Sequence, residues 1–103
     1  GENIAPKEIE DLLVGHDAIA EIAIVGVPDP RTGERAVAVI VPRPGATPDV
    51  AALAAHLAGH GVARFKYPEA VALWDALPKN DAGKVLKQQI RARLVEEAAP
   101  ATS

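Results

Sequence analysis

The chain contains no cysteine and no methionine, and only Phe65, Tyr67 and Trp74 among its 103 residues are aromatic. Without cysteine there is no disulfide scaffold, no thiolate zinc site and no thiol nucleophile. No apolar run approaches the roughly 20 residues that cross a bilayer, and no basic-then-apolar leader opens the sequence. These absences point away from membrane and secretory roles and towards a cytoplasmic protein. Charge of one sign is also scarce, since 14 acidic and 11 basic side chains leave a formal net charge of −3. A length near 100 residues matches one domain. Such a domain buries a sufficient core without covalent cross-links.

The small net charge hides a segregation. Residues 1–59 carry nine acidic and four basic side chains, whereas residues 60–93 carry seven basic and three acidic ones. A basic third in an otherwise acidic chain suggests a face that meets an anion, although a solvated basic surface has the same composition. The acidic remainder would repel a long polyanion and no recognition motif is present, so nucleic acid is not expected. A small polyphosphate fits the scale better.

Periodicity divides the chain into short elements. Pro6 suits a first helical turn, and Ile9, Leu12 and Leu13 recur at helical spacing, with Gly15 placed to supply a left-handed stop. Ile19 to Val27 reads as a strand covered on both faces, because Ile22 to Val25 is continuously apolar. Arg31 to Glu34 makes a turn into a second, antiparallel strand over Ala36 to Val41. Thr47-Pro48-Asp49 is a helix start. Its inner stripe is Val50, Leu53, Ala54 and Leu57, with Gly59 or Gly61 at its end. A third strand spans Ala70 to Trp74, a turn-rich loop spans Leu77 to Lys84, and a last helix runs from Leu86 to Val95 with Leu86, Ile90 and Leu94 inward. The expected fold is a small α+β domain, a three-stranded sheet covered by about three helices. It occupies residues 1–97, with a disordered tail over 98–103.

Few residues suggest chemistry on their own. Gly83-Lys84 is not a phosphate-binding P-loop, which needs glycine at Pro78 and serine or threonine at Val85. His56 and His60 have the i, i+4 spacing of metal ligands, but no third ligand is evident and no metal site is expected. They read as surface or edge histidines, and His16 as a side chain near the negative end of a helix. Lys84 lies in a loop rich in turn residues, Pro78, Asn80 and Asp81, so its backbone is expected to be exposed and adjustable. A lysine ammonium there could pair with negative charge developing on a phosphate. So small a chain has little room for a nucleotide pocket of its own, so the rest of any such site belongs elsewhere.

Taken in order, several segments resemble one family. They are Gly1-Glu2-Asn3-Ile4 with Pro6 and Glu8-Ile9-Glu10, Val25-Gly26-Val27-Pro28-Asp29 with Gly33-Glu34, Phe65-Lys66-Tyr67-Pro68, and Leu77-Pro78-Lys79 with Gly83-Lys84. Together they look like the C-terminal domain of adenylate-forming (AMP-binding) acyl-CoA synthetases, and the likeness runs from Gly1 to about Val95. The resemblance implies an ATP-dependent ligase that turns a carboxylic acid, ATP and CoA into acyl-CoA, AMP and pyrophosphate through an acyl-adenylate. It implies a large N-terminal domain that holds ATP, Mg²⁺ and the acid, with the small domain rotating between the two half-reactions. Lys84 matches the adenylation lysine and Gly83 the glycine that lets its loop approach. Gly1 matches a glycine of the loop that enters the site during thioesterification. Arg64, Phe65 and Lys66 fall where relatives place groups near the CoA nucleotide. Glu8 and Glu10 match helix-surface and interdomain polar positions.

The chain starts at the glycine loop, so on this resemblance it is an excised or proteolysed fragment, inactive when isolated. The alternative is a non-catalytic module of the same fold that docks CoA or a carrier protein.

Overall fold

The β-branched run after Ala18 forms an antiparallel hairpin of two strands, β1 (Ile19–Asp29) and β2 (Gly33–Pro42). The computed structural model describes residues 6–31 and 33–98. The loop at Gly1 to Ala5 and the tail at 99–103 therefore lie outside the described residues. Helix α1 (Pro6–Leu13) precedes the hairpin, and α2 (Val50–Gly59), a 3₁₀ turn at Arg64–Lys66, β3 (Ala70–Leu73) and α3 (Lys87–Ala98) follow it. Strand β3 adds parallel to β2, giving the order β1-β2-β3. A parallel partner needs a crossover, and α2 lies in that connection. The three strands and three helices agree with the α+β expectation.

Both faces of the sheet are covered. Ile24 of β1 and Ala36, Ala38 and Ile40 of β2 pack with Ile9 and Leu13 of α1 and Leu53 and Leu57 of α2. The alternate residues, Ala23, Val25 and Val27 with Val37 and Val39, pack with Trp74, Leu77 and Ile90. Successive side chains of a strand point to opposite faces, so double coverage turns an alternating pattern into the continuous apolar run seen at Ile22 to Val25. Among the described residues no polar or charged side chain is buried.

Several ends differ from the expectation. β1 continues to Asp29, with Pro28 opposite Glu34; proline is tolerated because β1 is an edge strand. Gly15 is not in the left-handed region, and α1 closes instead through turn bonds from Val14 N–H to the Glu10 carbonyl and from His16 N–H to the Leu13 carbonyl. The N-cap of α2 is Asp49, whose backbone is extended and whose side chain accepts the Ala52 N–H. Pro48 precedes the helix instead of opening it, and Val50 is exposed while Leu53 and Leu57 form the buried stripe. At the other end, Gly61 (φ 75°) completes a Schellman motif, with Val62 N–H on the Leu57 carbonyl and Gly61 N–H on that of Ala58. Helix α3 starts after Leu86, reaches Ala98 in the expected tail, and buries Ile90 fully but Leu94 only in part; Leu86, just before it, is half-buried.

The cap assignment generates the first prediction. Asp49→Ala should destabilise the protein by about 1 kcal/mol, while Thr47→Ala should change stability by less than about 0.5 kcal/mol, both read from urea unfolding midpoints. Equal effects at the two positions would contradict Asp49 as the cap.

Candidate functional site

The segment carrying Lys84 leaves the core at Trp74 and Leu77, both buried, and returns through a tight hairpin. Lys79 and Val85 form an antiparallel bridge at its base, and Leu86 N–H donates to the Pro78 carbonyl at 2.9 Å. Inside it, Asn80 N–H donates to the Lys84 carbonyl (3.0 Å) and Gly83 N–H to the Asn80 carbonyl (2.9 Å). Gly83 has φ 84° with no atom near the position a Cβ would take. Glycine is therefore needed for backbone conformation and not for space. Residues 79–84 are all exposed, as expected. The backbone expected to be adjustable carries a closed set of main-chain hydrogen bonds.

Two ion pairs mount the hairpin on the domain. Lys79 Nζ lies 2.6 Å from Glu21 Oε1 of β1. Lys87, at the start of α3, lies 2.6 Å from Glu10 Oε2 of α1. The same Glu10 oxygen accepts the Ile24 N–H at 2.6 Å, covering an outward-facing amide of the edge strand. The Glu10 side chain is only 16% exposed. It is thus an internal staple of α1, β1 and α3, not the helix-surface or interdomain group expected. Its partner by sequence, Glu8, pairs with Lys66 at 3.7 Å on the surface, a contact of little energetic weight.

The basic third of the chain is therefore largely neutralised from within. Lys66, Lys79, Lys87 and Arg93 face Glu8, Glu21, Glu10 and Glu97, and Arg93 also lies 4.1 Å above the Trp74 ring. Among the described residues of this third, Arg64, Lys84 and Arg91 make no ion pair. Lys84 is exposed with a free ammonium.

The second candidate segment is the 3₁₀ turn Arg64–Lys66. Tyr67 packs against the core layer of α1 and α2, Pro68 is buried, and Glu69 N–H donates to the Ala36 carbonyl at 2.8 Å. Phe65, flanked in sequence by Arg64 and Lys66, is 76% exposed. A large aromatic left so open on an anchored turn is available for stacking.

The two segments are anchored on opposite faces of the sheet. Tyr67 belongs to the α1/α2 side, whereas Leu77 and Val85 belong to the α3 side. The structure therefore does not bring Lys84 and Gly83 together with Arg64, Phe65 and Lys66. Gly1 lies outside the described residues. Depressions of about 440, 770 and 320 Å³ lie along α3, and none is lined by any of these residues.

The histidines converge where α1 and α2 end. His56 Nε2 lies 2.9 Å from the Leu12 carbonyl, and its ring is 5.1 Å from that of His16 and 4.8 Å from that of His60. His16 Nδ1 accepts the Ala18 N–H, a role that its place after a helix end did not reveal. The described residues hold no group of three or more side chains arranged to ligate a metal ion, and no helix long and apolar enough to cross a membrane. Sequence reasoning missed the organising roles of Asn80 and Glu21. An Asx-type turn was signalled only by the run Asn80-Asp81-Ala82-Gly83.

Comparison with known proteins gives one answer. The family profile described as the AMP-binding enzyme C-terminal domain matches residues 8–84. Indoleacetate–CoA ligase of Aromatoleum aromaticum is 47% identical over 91 residues, 88% of this chain and 18% of the relative. The fatty acid–acyl-carrier-protein ligase ScoC of Streptomyces coeruleorubidus is 39% identical over 99 residues, 96% of this chain and 19% of the relative. Crystal structures of MatB from Rhodopseudomonas palustris, apo and ATP-bound, superpose with TM-scores of 0.84 at 38% and 37% identity, covering 96% of this chain and 20% of theirs. The chain thus spans about a fifth of the length of the relatives it matches.

The Glu10 staple generates the second prediction. Glu10→Ala, which strands an edge amide and Lys87 together, should destabilise the protein by about 1.5–3 kcal/mol in chemical denaturation. Glu10→Gln keeps an acceptor for Ile24 and should lose less than half as much. Equal losses would show that the amide contact contributes nothing.

Proposed function

This chain belongs to the family of AMP-binding enzyme C-terminal domains, and from that we propose that it is the mobile domain of an ATP-dependent acid–thiol ligase. In the first half-reaction a carboxylate oxygen attacks the α-phosphorus of ATP and the bond to pyrophosphate breaks, leaving an acyl-adenylate. In the second, a thiolate sulfur attacks the acyl carbon and AMP departs with the electron pair of the broken C–O bond. ATP, its Mg²⁺ and the acid are assigned to the N-terminal domain of the full-length protein. This domain supplies groups to each step in turn.

Lys84 serves the first step. Its unpaired ammonium, at the end of a stiff hairpin, pairs with charge shared between the carboxylate and the α-phosphate as the bond forms, and that is where fixed charge accelerates phosphoryl-group chemistry most. Gly83 gives the hairpin its shape. For the second step, Phe65 stacks on the adenine of CoA while Arg64 and Lys66 meet its phosphates, and Gly1 belongs to the loop that lines the pantetheine path. The observation that carries this reading is the anchoring of the two segments on opposite sheet faces, Tyr67 on one and Leu77 and Val85 on the other. A domain built so can offer only one of them to a fixed nucleotide at a time, and turning it over exchanges one half-reaction for the other.

CoA is the acceptor on this reading. Identity to ScoC favours a carrier-protein pantetheine as the second candidate, and comparing the two thiols as acceptors with a common acyl-adenylate separates them. Tight CoA binding by the chain without the large domain would instead favour the docking-module alternative.

In the full-length protein, Lys84→Ala should lower the rate of adenylate formation about 10²- to 10³-fold, measured as pyrophosphate release. Thioester formation from supplied acyl-adenylate should stay within about threefold of the parent rate. Equal loss in both assays would overturn the division of labour. Phe65→Ala should raise KM for CoA about tenfold and leave pyrophosphate release unchanged. An unaltered KM would remove Phe65 from the CoA site.

A further inference from the structure

Asn80 has the most concentrated bonding of any exposed residue near Lys84. Its side-chain oxygen accepts two backbone N–H groups, from Ala82 and from Lys84, each at 2.9 Å. Its own N–H donates to the Lys84 carbonyl at 3.0 Å, and its carbonyl accepts from Gly83 at 2.9 Å. Both main-chain polar groups of Lys84 are therefore held by this one residue. The left-handed Gly83 turns the chain so that the amides of residues 82 and 84 converge on a single oxygen. Every residue from 79 to 84 is exposed, so burial in the core does not hold this backbone.

We propose that Asn80 is the positioning residue for Lys84. Its carboxamide oxygen fixes the backbone from which the lysine side chain departs, and so governs how often the ammonium meets the reacting phosphate. The inference rests on the reading that Lys84 serves adenylate formation. On this account Asn80 acts through Lys84, its oxygen being committed to two backbone donors. The lysine stem is long and flexible, so direction at the Cα is what the protein can set in advance. Misplacement of a catalytic group by about 1 Å lowers rates by up to roughly 10²-fold.

The test uses the full-length protein with Asn80→Ala, Asn80→Asp, Lys84→Ala and the double variant Asn80→Ala/Lys84→Ala. Asn80→Ala should lower kcat for pyrophosphate release about 10- to 100-fold, with KM for ATP and thioester formation from supplied acyl-adenylate each within about twofold. Asn80→Asp keeps an oxygen that can accept both amides and should recover to within about threefold of the parent. In the Lys84→Ala background, Asn80→Ala should add no further loss, because residues acting as a unit are not additive. An undiminished rate for Asn80→Ala, an aspartate no better than alanine, or a further loss without Lys84 would each overturn the proposal. So would an equal loss of thioester formation, which marks general damage to the fold. If Lys84→Ala itself leaves pyrophosphate release intact, the failure belongs to the functional reading and not to Asn80.

Discussion

Burial of the β1–β2 hairpin on both faces is the constraint from which the rest follows. Two layers of helix and loop must meet a sheet whose inward-facing residues on each side are Ala, Val and Ile. Among the described residues polar and charged side chains are thereby kept out of both layers, because an unpaired polar atom inside either would cost several kcal/mol. The domain accordingly has a core with no chemistry in it and a perimeter on which two anchored segments project outward. The same two-sidedness gives those segments different sheet faces as their bases.

Polar contacts then decide what the perimeter can do. Three acidic residues of the first half of the chain meet the basic second half: Glu8, Glu10 and Glu21 each take a lysine. The pairs differ in kind. Glu10 is mostly shielded and also caps an edge amide, so it contributes as a charge-assisted hydrogen bond, whereas Glu8 and Lys66 meet in water and contribute little. What remains unneutralised is a short set that includes Arg64 and Lys84. Counting charges along the sequence overstated the basic face, since it could not subtract partners from a distant segment.

The Lys84 hairpin combines full exposure with a defined shape. Loops usually gain one at the expense of the other, because exposed backbone bonds compete with water. Here the hairpin is closed at its base by a strand-like bridge and tied at both feet by ion pairs. Within it, a single carboxamide oxygen accepts the amides of two residues, Ala82 and Lys84. A domain that must deliver one ammonium to a site on another body has reason for such stiffness, since each freely rotating bond lost on engagement costs conformational entropy.

By itself the sequence determined the element order, the α+β class, the two-faced burial of β1 and the identity of the exposed lysine, because these rest on local signals: apolar periodicity, turn residues and a short glycine-lysine motif. The ends of elements were less legible. Asp49 and Thr47 are both good caps by composition, and only the observed backbone at Asp49 selects between them. Tertiary structure alone decided that Glu10 faces inward, that His56 bonds to the end of another helix, that the segments carrying Phe65 and Lys84 are anchored on opposite faces, and that Asn80 grips Lys84. The first three join residues distant along the chain, and no pattern along it records which ones meet. The grip of Asn80 is local, yet it depends on a left-handed Gly83 and a closed base, and these exist only once the hairpin is mounted on β1 and α3.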